Sequence, residues 1–359
     1  MSEAYKSCAV MRNPFSTLTT SPKIPDGSVN ASLTMRDCVS SQYNSKRGQM
    51  TFVLYPGFHA HLAVIQGDGV DTVVYNNHTS EGNRRTTNKT NHPDQNPKST
   101  LIELENSPEC PNQWRVVSQG LRLTLLNSSL NNDGYFEAIR LNPTYDDNDF
   151  SISAIAPSDN RVQAGEQVYI TPNVLSFENR IANPTAVSTG TSITSDSAGT
   201  QSKGKNWANH PSYITGRLRD LHKYTFLLKS QKDEHEFVKL EEIENIVLDQ
   251  TIPGSTEDNL VAHSEIYRNA NGSSFGYVDK SMDVVLIRVL ARFGDEFYIH
   301  ANSVQYTEGV YDNSSVYSKF MTTCIANKQL YESTRQFLIK DPKPGNIRTP
   351  KAPINIYRR

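Results

Sequence analysis

The stretch from Cys110 to Leu141, CPNQWRVVSQGLRLTLLNSSLNNDGYFEAIRL, constrains the fold more than any other part of the chain. Leu121, Leu123 and Leu125 fall on one side, while Arg122 and Thr124 fall on the other. That is the period-two signature of a half-buried strand. Gly120 sits where the alternation changes phase, which predicts a β-bulge there. The segment NSSLNNDG is built from residues that tolerate turn geometry, and GYFEAIRL after it reads as a second strand. Two long strands joined by a polar turn imply a sheet-based fold. Composition agrees: tyrosine (17) far outnumbers tryptophan (2), and Ser, Thr and Asn crowd the linking segments. Hydrophobic residues make up only 36%, so much of the chain is expected to be surface, loop or interface.

The same patterning recurs along the chain. Residues 1–50 are rich in Ser, Thr, Asn and Pro and read as an extended arm. From Met50 to Gln66 the chain is strand-like, with Phe58, Ala60, Leu62 and Val64 on one face and His59 and His61 on the other. Residues 76–100 and the Ser/Thr/Gly-rich stretch 183–206 read as polar loops. Tyr224 to Leu228 is a further core strand. In MDVVLIRVLARF, Val285, Ile287, Val289 and Ala291 face one way and Arg288 and Arg292 the other. In FYIHANSVQY, Phe297, Ile299 and Ala301 alternate with Tyr298, His300 and Asn302, and Gly294-Asp295 between these two strands fits a hairpin turn. From Ser314 onward, Val316, Phe320 and Cys324 recur at a spacing of four and predict a helix continuing through Leu338. Pro342 and Pro344 would end it.

Charge is segregated rather than spread. The net charge is −2. The tail from Lys340 to Arg359 carries Lys340, Lys343, Arg348, Lys351, Arg358 and Arg359 against Asp341 alone. The stretch 203–232 is also basic, and 233–258 is acidic. Such separation suggests surfaces that meet different partners. Residues 1–12 hold no apolar run of the kind a secretory leader needs, and no stretch approaches the ~20 apolar residues of a membrane span. The expectation is a soluble chain with no membrane partner. Cys8, Cys38, Cys110 and Cys324 are far apart and signal neither a zinc site nor a disulfide framework.

Three groups of residues carry a resemblance. Trp114-Arg115-Val116-Val117-Ser118-x-Gly120-Leu121-Arg122-Leu123, followed by the Asn-rich turn and second strand, is the first. Asn13-Pro14-Phe15 with Pro22-Lys23-Ile24-Pro25-Asp26-Gly27 is the second. The third is the strand pair Ser281 to Arg292 and Phe297 to Tyr306, with Glu308, Asp312 and Ser314-Ser315 after it. Together they resemble the single jelly-roll capsid proteins of small icosahedral eukaryotic viruses, nearest those of bacilladnavirus-like circular single-stranded DNA viruses and of nodaviruses. The resemblance covers about residues 13–54, 110–141 and 275–331. It implies an all-β fold: an eight-stranded antiparallel jelly roll of two facing sheets, with an extended N-terminal arm (1–50), a shell domain (51–339) and a C-terminal helix and basic tail (340–359). A single jelly roll needs roughly 150–200 residues, so a surface projection is expected within 142–275. The implied function is a non-enzymatic coat that assembles with copies of itself into an icosahedral shell around a small genome, expected to be single-stranded DNA. The implied location is the virion, after synthesis in the host cytoplasm, with assembly in the nucleus as an option. A host receptor is implied but not identified.

Candidate sites follow from residue chemistry. Lys340, Lys343, Arg348, Lys351, Arg358 and Arg359, together with Arg84 and Arg85, could neutralise genome phosphates without sequence preference; the plain alternative is a solvated terminus. Many relatives carry a strongly basic N-terminal arm, which this chain lacks. Asp146, Asp147 and Asp149 form an acidic turn that could take Ca2+ at a subunit interface, although the late glutamate of an EF-hand is missing. No other cofactor is expected. His59 and His61, two apart on a strand, could share a metal as in cupins. Ala63, Val64 and Ile65 stand where that motif needs its glutamate, so a β-sandwich metal enzyme or carbohydrate-binding domain is the alternative reading. A secreted adhesion protein is a third.

Overall fold

In the computed structural model of the chain, the residues described are 3–16, 22–28, 30–45, 48–58, 62–66, 73–76, 83–86, 111–127, 133–141, 150–154, 168–172, 207–231, 235–239, 278–291, 296–340 and 344–347. Two antiparallel sheets dominate. The first contains β1 (Leu33–Ser45), β6 (Gln113–Leu125), β11 (Tyr224–Leu227), β14 (Phe297–Val310) and β15 (Gly345–Ile347), in the order β1-β14-β6-β11-β15; the short β12 (Val238–Lys239) also pairs with β6. The second contains β2 (Gln49–Leu54), β3 (Leu62–Gln66), β4 (Val73–Asn76), β5 (Asn83–Thr86), β7 (Gly134–Leu141), β10 (Ile214–Arg217) and β13 (Val284–Ala291), in the order β10-β7-β13-β2-β3-β4-β5. A separate pair, β8 (Phe150–Ala154) and β9 (Val168–Pro172), lies within the span expected for a projection.

Eight strands form the sandwich, four in each sheet: β1-β14-β6-β11 against β2-β13-β7-β10. This is the connectivity of a jelly roll. It corrects two local expectations. The strands flanking NSSLNNDG are β6 and β7, and those flanking Gly294-Asp295 are β13 and β14. Neither pair is a hairpin, because each connection passes from one sheet to the other. The pairing partners explain why. Both edges of β13 are taken by β2 and β7, and both edges of β14 by β1 and β6.

The inner faces close on one core that includes Phe52, Leu54, Trp114, Leu121, Phe136 and Ile287. The predicted alternation holds on β14, where Phe297, Ile299 and Ala301 point inward, and on β6, where Leu121 and Leu123 do. Gln119 and Gln305 are also buried here. Their amides donate to the carbonyls of Tyr55 and Gly57, each at 2.9 Å, and Gln305 donates to Gln119 at 3.0 Å. These bonds fix the chain as it leaves β2 and satisfy polar groups that would be costly unpaired.

The bulge lies at Val117 rather than Gly120. Tyr306 opposes Ser118 while Thr307 opposes Val116, which leaves Val117 without an opposite residue. Gly120 serves close approach instead: a Cβ there would fall 2.6 Å from the Pro14 ring and 3.1 Å from the Phe15 side chain.

The N-terminal fifty residues are not an extended arm. Glu3–Arg12 forms a helix, α1, and Leu33–Ser45 is the 13-residue strand β1, paired along its length with β14. Ala4, Ser7, Cys8 and Met11 are buried at helical spacing, a stripe too short for composition to reveal. The predicted helix from Ser314 is also corrected. Val316–Phe320 is a single 3-10 turn, and the α-helix, α2, runs Lys328–Lys340. Asn327 caps it by accepting from the Leu330 N–H at 3.1 Å.

Candidate contact surfaces and nucleic-acid interface

The outer face of the first sheet is built from both ends of the chain. Register places Arg36 beside Tyr306, Cys38 beside Val304 and Ser40 beside Asn302 on this face, with Arg122 opposite Asn302 on the far side. At one end α1 and α2 cover it. Val10, Met11 and Tyr331 pack with Val117, Val304 and Tyr306 in a second apolar cluster. The bulge at Val117 assists, since the neighbouring Ser118 hydroxyl donates to the Val10 carbonyl at 2.8 Å. Past α1, Pro14 and Phe15 lie over Gly120, and the Arg122 guanidinium stacks on Phe15 at 3.9 Å. Arg12 stacks likewise on Phe337 at 4.5 Å.

A buried charge junction locks the segment between α1 and β1 onto this face. Arg115, 1% exposed, meets Asp26 at 2.5 Å and Glu308 at 2.9 Å, donates to the His235 carbonyl at 2.7 Å and stacks on Phe237. Glu308 also accepts from the Ser32 hydroxyl at 2.5 Å and the Ile24 N–H at 3.3 Å. The Lys23 ammonium donates to the carbonyls of Ser32 and Thr322. Burial alone would raise the Asp26 carboxyl, yet hydrogen bonding and charge from Arg115, with the Ser28 N–H, hold it below the ordinary range. The same balance holds Asp279 low: burial is outweighed by His235 at 2.7 Å and by the N–H groups of Val116 and Ser281. Burial pushes the Lys23 amine down.

A second junction ties the sheets together. Arg140 on β7 pairs with Asp283 and donates to the Leu227 carbonyl at 2.7 Å, while Asp283 accepts from the Lys229 N–H at 2.9 Å. These residues bridge β7, β11 and the start of β13. Both junctions are structural, since each charged side chain in them is paired with an oppositely charged neighbour inside the fold.

Exposed apolar side chains are concentrated at the ends of the sandwich. Val316, Phe320 and Ile325, following β14, are 64%, 62% and 75% exposed, and Leu126 and Tyr298 lie at the opposite end of β14. Such residues suit contacts between copies.

Of the residues expected to bind nucleic acid, Lys340 is placed at the exposed last turn of α2. Arg84 and Arg85 lie on β5, at the far edge of the second sheet, so the structure does not bring them to Lys340. Lys343, Arg348, Lys351, Arg358 and Arg359 lie outside the described residues, as do Asp146, Asp147 and Asp149, and His59 and His61. Among the described residues no group of three or more His, Cys, Asp or Glu side chains gathers as a metal site. Sequence reasoning did not single out Arg12, Arg36 and Arg122, each of which lies against an aromatic ring. Their signal was an aromatic partner across the fold, which no linear pattern displays.

Comparison with known proteins places the chain. The family profile of the shotokuvirus capsid protein matches residues 2–344. The chain is 30% identical to the capsid protein of Chaetoceros diatodnavirus 1, over 97% of this chain and 85% of that one. It is 27% identical to the capsid protein of Avon-Heathcote Estuary associated kieseladnavirus, over 87% and 80%. Among solved structures it is similar to T=1 particles derived from infectious bursal virus, with a TM-score of 0.43 and 12% identity over 95% of this chain and 92% of that one. The T13 viral particle of IBDV gives 0.44 and 12% over 96% and 95%.

Proposed function

The chain belongs to the shotokuvirus capsid protein family, and from that premise we propose that it closes with copies of itself into an icosahedral shell around a small single-stranded DNA genome. It is a structural component of the virion and not an enzyme; the metal-enzyme alternative built on His59 and His61 has no support in the family match. The observation that carries the reading is the span of that match, residues 2–344, which takes in all eight strands of the sandwich and both helices. Physically, two facing four-stranded sheets make a block with short edges that can repeat around symmetry axes. The exposed Val316, Phe320 and Ile325 supply apolar surface for contacts between neighbours. The diatodnavirus and kieseladnavirus sources of the relatives support a DNA genome. The reading keeps the basic tail beyond Lys340 as a genome contact and the Asp146, Asp147 and Asp149 turn as a Ca2+ site between subunits.

Negative-stain microscopy of the purified protein, with nuclease treatment before nucleic-acid extraction, tests this. Uniform round particles protecting DNase-sensitive, RNase-resistant material are expected. A monodisperse monomer under all salt and calcium conditions would refute the shell.

A further inference from the structure

We propose that the outer face of the first sheet, from the seam between α1 and α2 to the open end at Tyr298, is a folded binding surface for single-stranded nucleic acid. The inference rests on the shell reading for the source of its ligand, but its chemistry stands on the face itself. It differs from packaging by the basic tail, because its cations belong to the helices and strands of the sandwich.

Strand parity and register define the surface. Arg36 on β1 and Arg122 on β6 project to the same side as Asn302 on β14. Toward the open end His300 opposes Gln42 and Thr124, and Tyr298 opposes Asn44. Exposure grows in the same direction: Tyr306 is buried beneath the helices, while Ser40 and Gln42 are exposed and Tyr298 is 45% exposed. At the helix-covered end the surface continues through exposed Arg12, Phe337 and Lys340.

Two features make this a nucleic-acid surface rather than a generic polar one. The first is its charge. Arg12, Arg36, Arg122 and Lys340 are all cationic. The strand carboxylate that shares the face, Glu308, is buried against Arg115; on α2, Glu332 is engaged by Arg335 at 3.2 Å, and at the open end Glu296 accepts from the Tyr298 hydroxyl at 3.0 Å. The second is its planar groups. Phe337 is 58% exposed with Arg12 against its ring, and Arg122 lies on Phe15. Stacked guanidinium and aromatic planes are platforms on which unpaired bases add a further layer, while neighbouring cations meet phosphates and release counterions. Asn302, Gln42 and Thr124 add hydrogen-bonding groups without imposing a sequence. A duplex keeps its base faces stacked on one another, so the platforms select single strands. A surface that meets the packaged strand looks into the shell.

The test uses the full chain and a fluorescein-labelled 20-mer of deoxythymidine, followed by anisotropy across a salt series. Arg12→Gln/Arg36→Gln/Lys340→Gln is expected to weaken binding at least tenfold. It should also flatten the slope of log affinity against log salt by about 2, since each lost phosphate contact on a single strand accounts for about 0.7. Phe337→Ser alone should weaken binding by about fivefold or more, through lost stacking. A matched loss of charge elsewhere, Arg217→Gln/Arg219→Gln/Lys223→Gln, should leave binding unchanged, and neutralising the tail (Arg348→Gln/Lys351→Gln/Arg358→Gln/Arg359→Gln) should leave the Phe337→Ser effect in place. Equal binding by the triple variant and the wild type, with matching thermal midpoints, would overturn the proposal, as would an equal loss in the control. Particle imaging separates the two readings. Absence of wild-type particles refutes the shell, whereas triple-variant particles with wild-type nucleic-acid content refute this face.

Discussion

The outer faces of the two sheets obey the same alternation and are used in opposite ways. On the second sheet, register aligns Ile139, Leu286, Val53 and Ala63 in one row across four strands, and every one is 0% exposed. Its Arg288 is tied to Glu137 at 2.6 Å and lies against the Trp207 ring at 4.3 Å. That outer face is a second core. On the first sheet the equivalent row is half covered by helices and half open, with its cations stacked on aromatics. The comparison teaches that a two-layer sandwich need not be symmetric: the second sheet is buried on both sides along its central strands, while the first keeps an open stretch on its outer face.

Predictions that would break or sharpen this contrast run from large effects to small. Arg115→Met should cost about 3–5 kcal/mol in urea unfolding, because it strands Asp26 and Glu308 in a buried site. A cost below 1 kcal/mol would mean that the junction does not hold the first sheet's covering. Leu286→Ala should cost about 2–4 kcal/mol through lost burial and a residual cavity. A near-neutral result would deny the second core. Gly120→Ala should cost about 1–3 kcal/mol by pushing Pro14 off the sheet, and it should speed protease cleavage within residues 3–16. Unchanged cleavage would separate Gly120 from the seating of α1. By contrast, Gln42→Ala on the open face should stay within about 0.5 kcal/mol; a larger loss would mean that the face is covered.

Acid should expose the same asymmetry. The folded carboxyls of Asp26 and Asp279 are lowered, so the stability they contribute is complete above the ordinary aspartate value of about 4 and is lost as pH falls through their folded values. Thermal midpoints should therefore be flat from pH 7 to about 5 and drop below pH 4, and Asp26→Asn should make the acid limb shallower. An unchanged limb would remove Asp26 from the account.

Much of this was legible in the chain. Alternation in FYIHANSVQY identified a strand with one open face, which β14 has. The near-continuous apolar run of MDVVLIRVLA carried more than the two-faced strand read from it, since such a run marks burial on both sides. Arg288 was misleading because its aromatic and acidic neighbours, Trp207 and Glu137, come from distant segments. Strand positions were readable, but pairing was not: proximity in sequence favours hairpins, whereas β6–β7 and β13–β14 cross between sheets because their edges are filled by remote strands. Helix α1 was hidden because most of its buried side chains are small (Ala4, Ser7 and Cys8 beside Val10 and Met11), and what covers them, such as Lys23 at Ser7 and Leu330 at Cys8, lies elsewhere in the chain. The basic tail was visible as charge density. The stacked arginines were not, since the features that matter are separated by up to 325 residues, as in Arg12 and Phe337.

The most direct test of the account is a cryo-electron microscopy reconstruction of particles assembled from the full chain. The account predicts closed shells in which α1, α2 and the open face of β14 line the interior, with extra density against Arg12, Phe337 and Arg122. Shells with that face directed outward, or an interior lined instead by the second sheet, would contradict it.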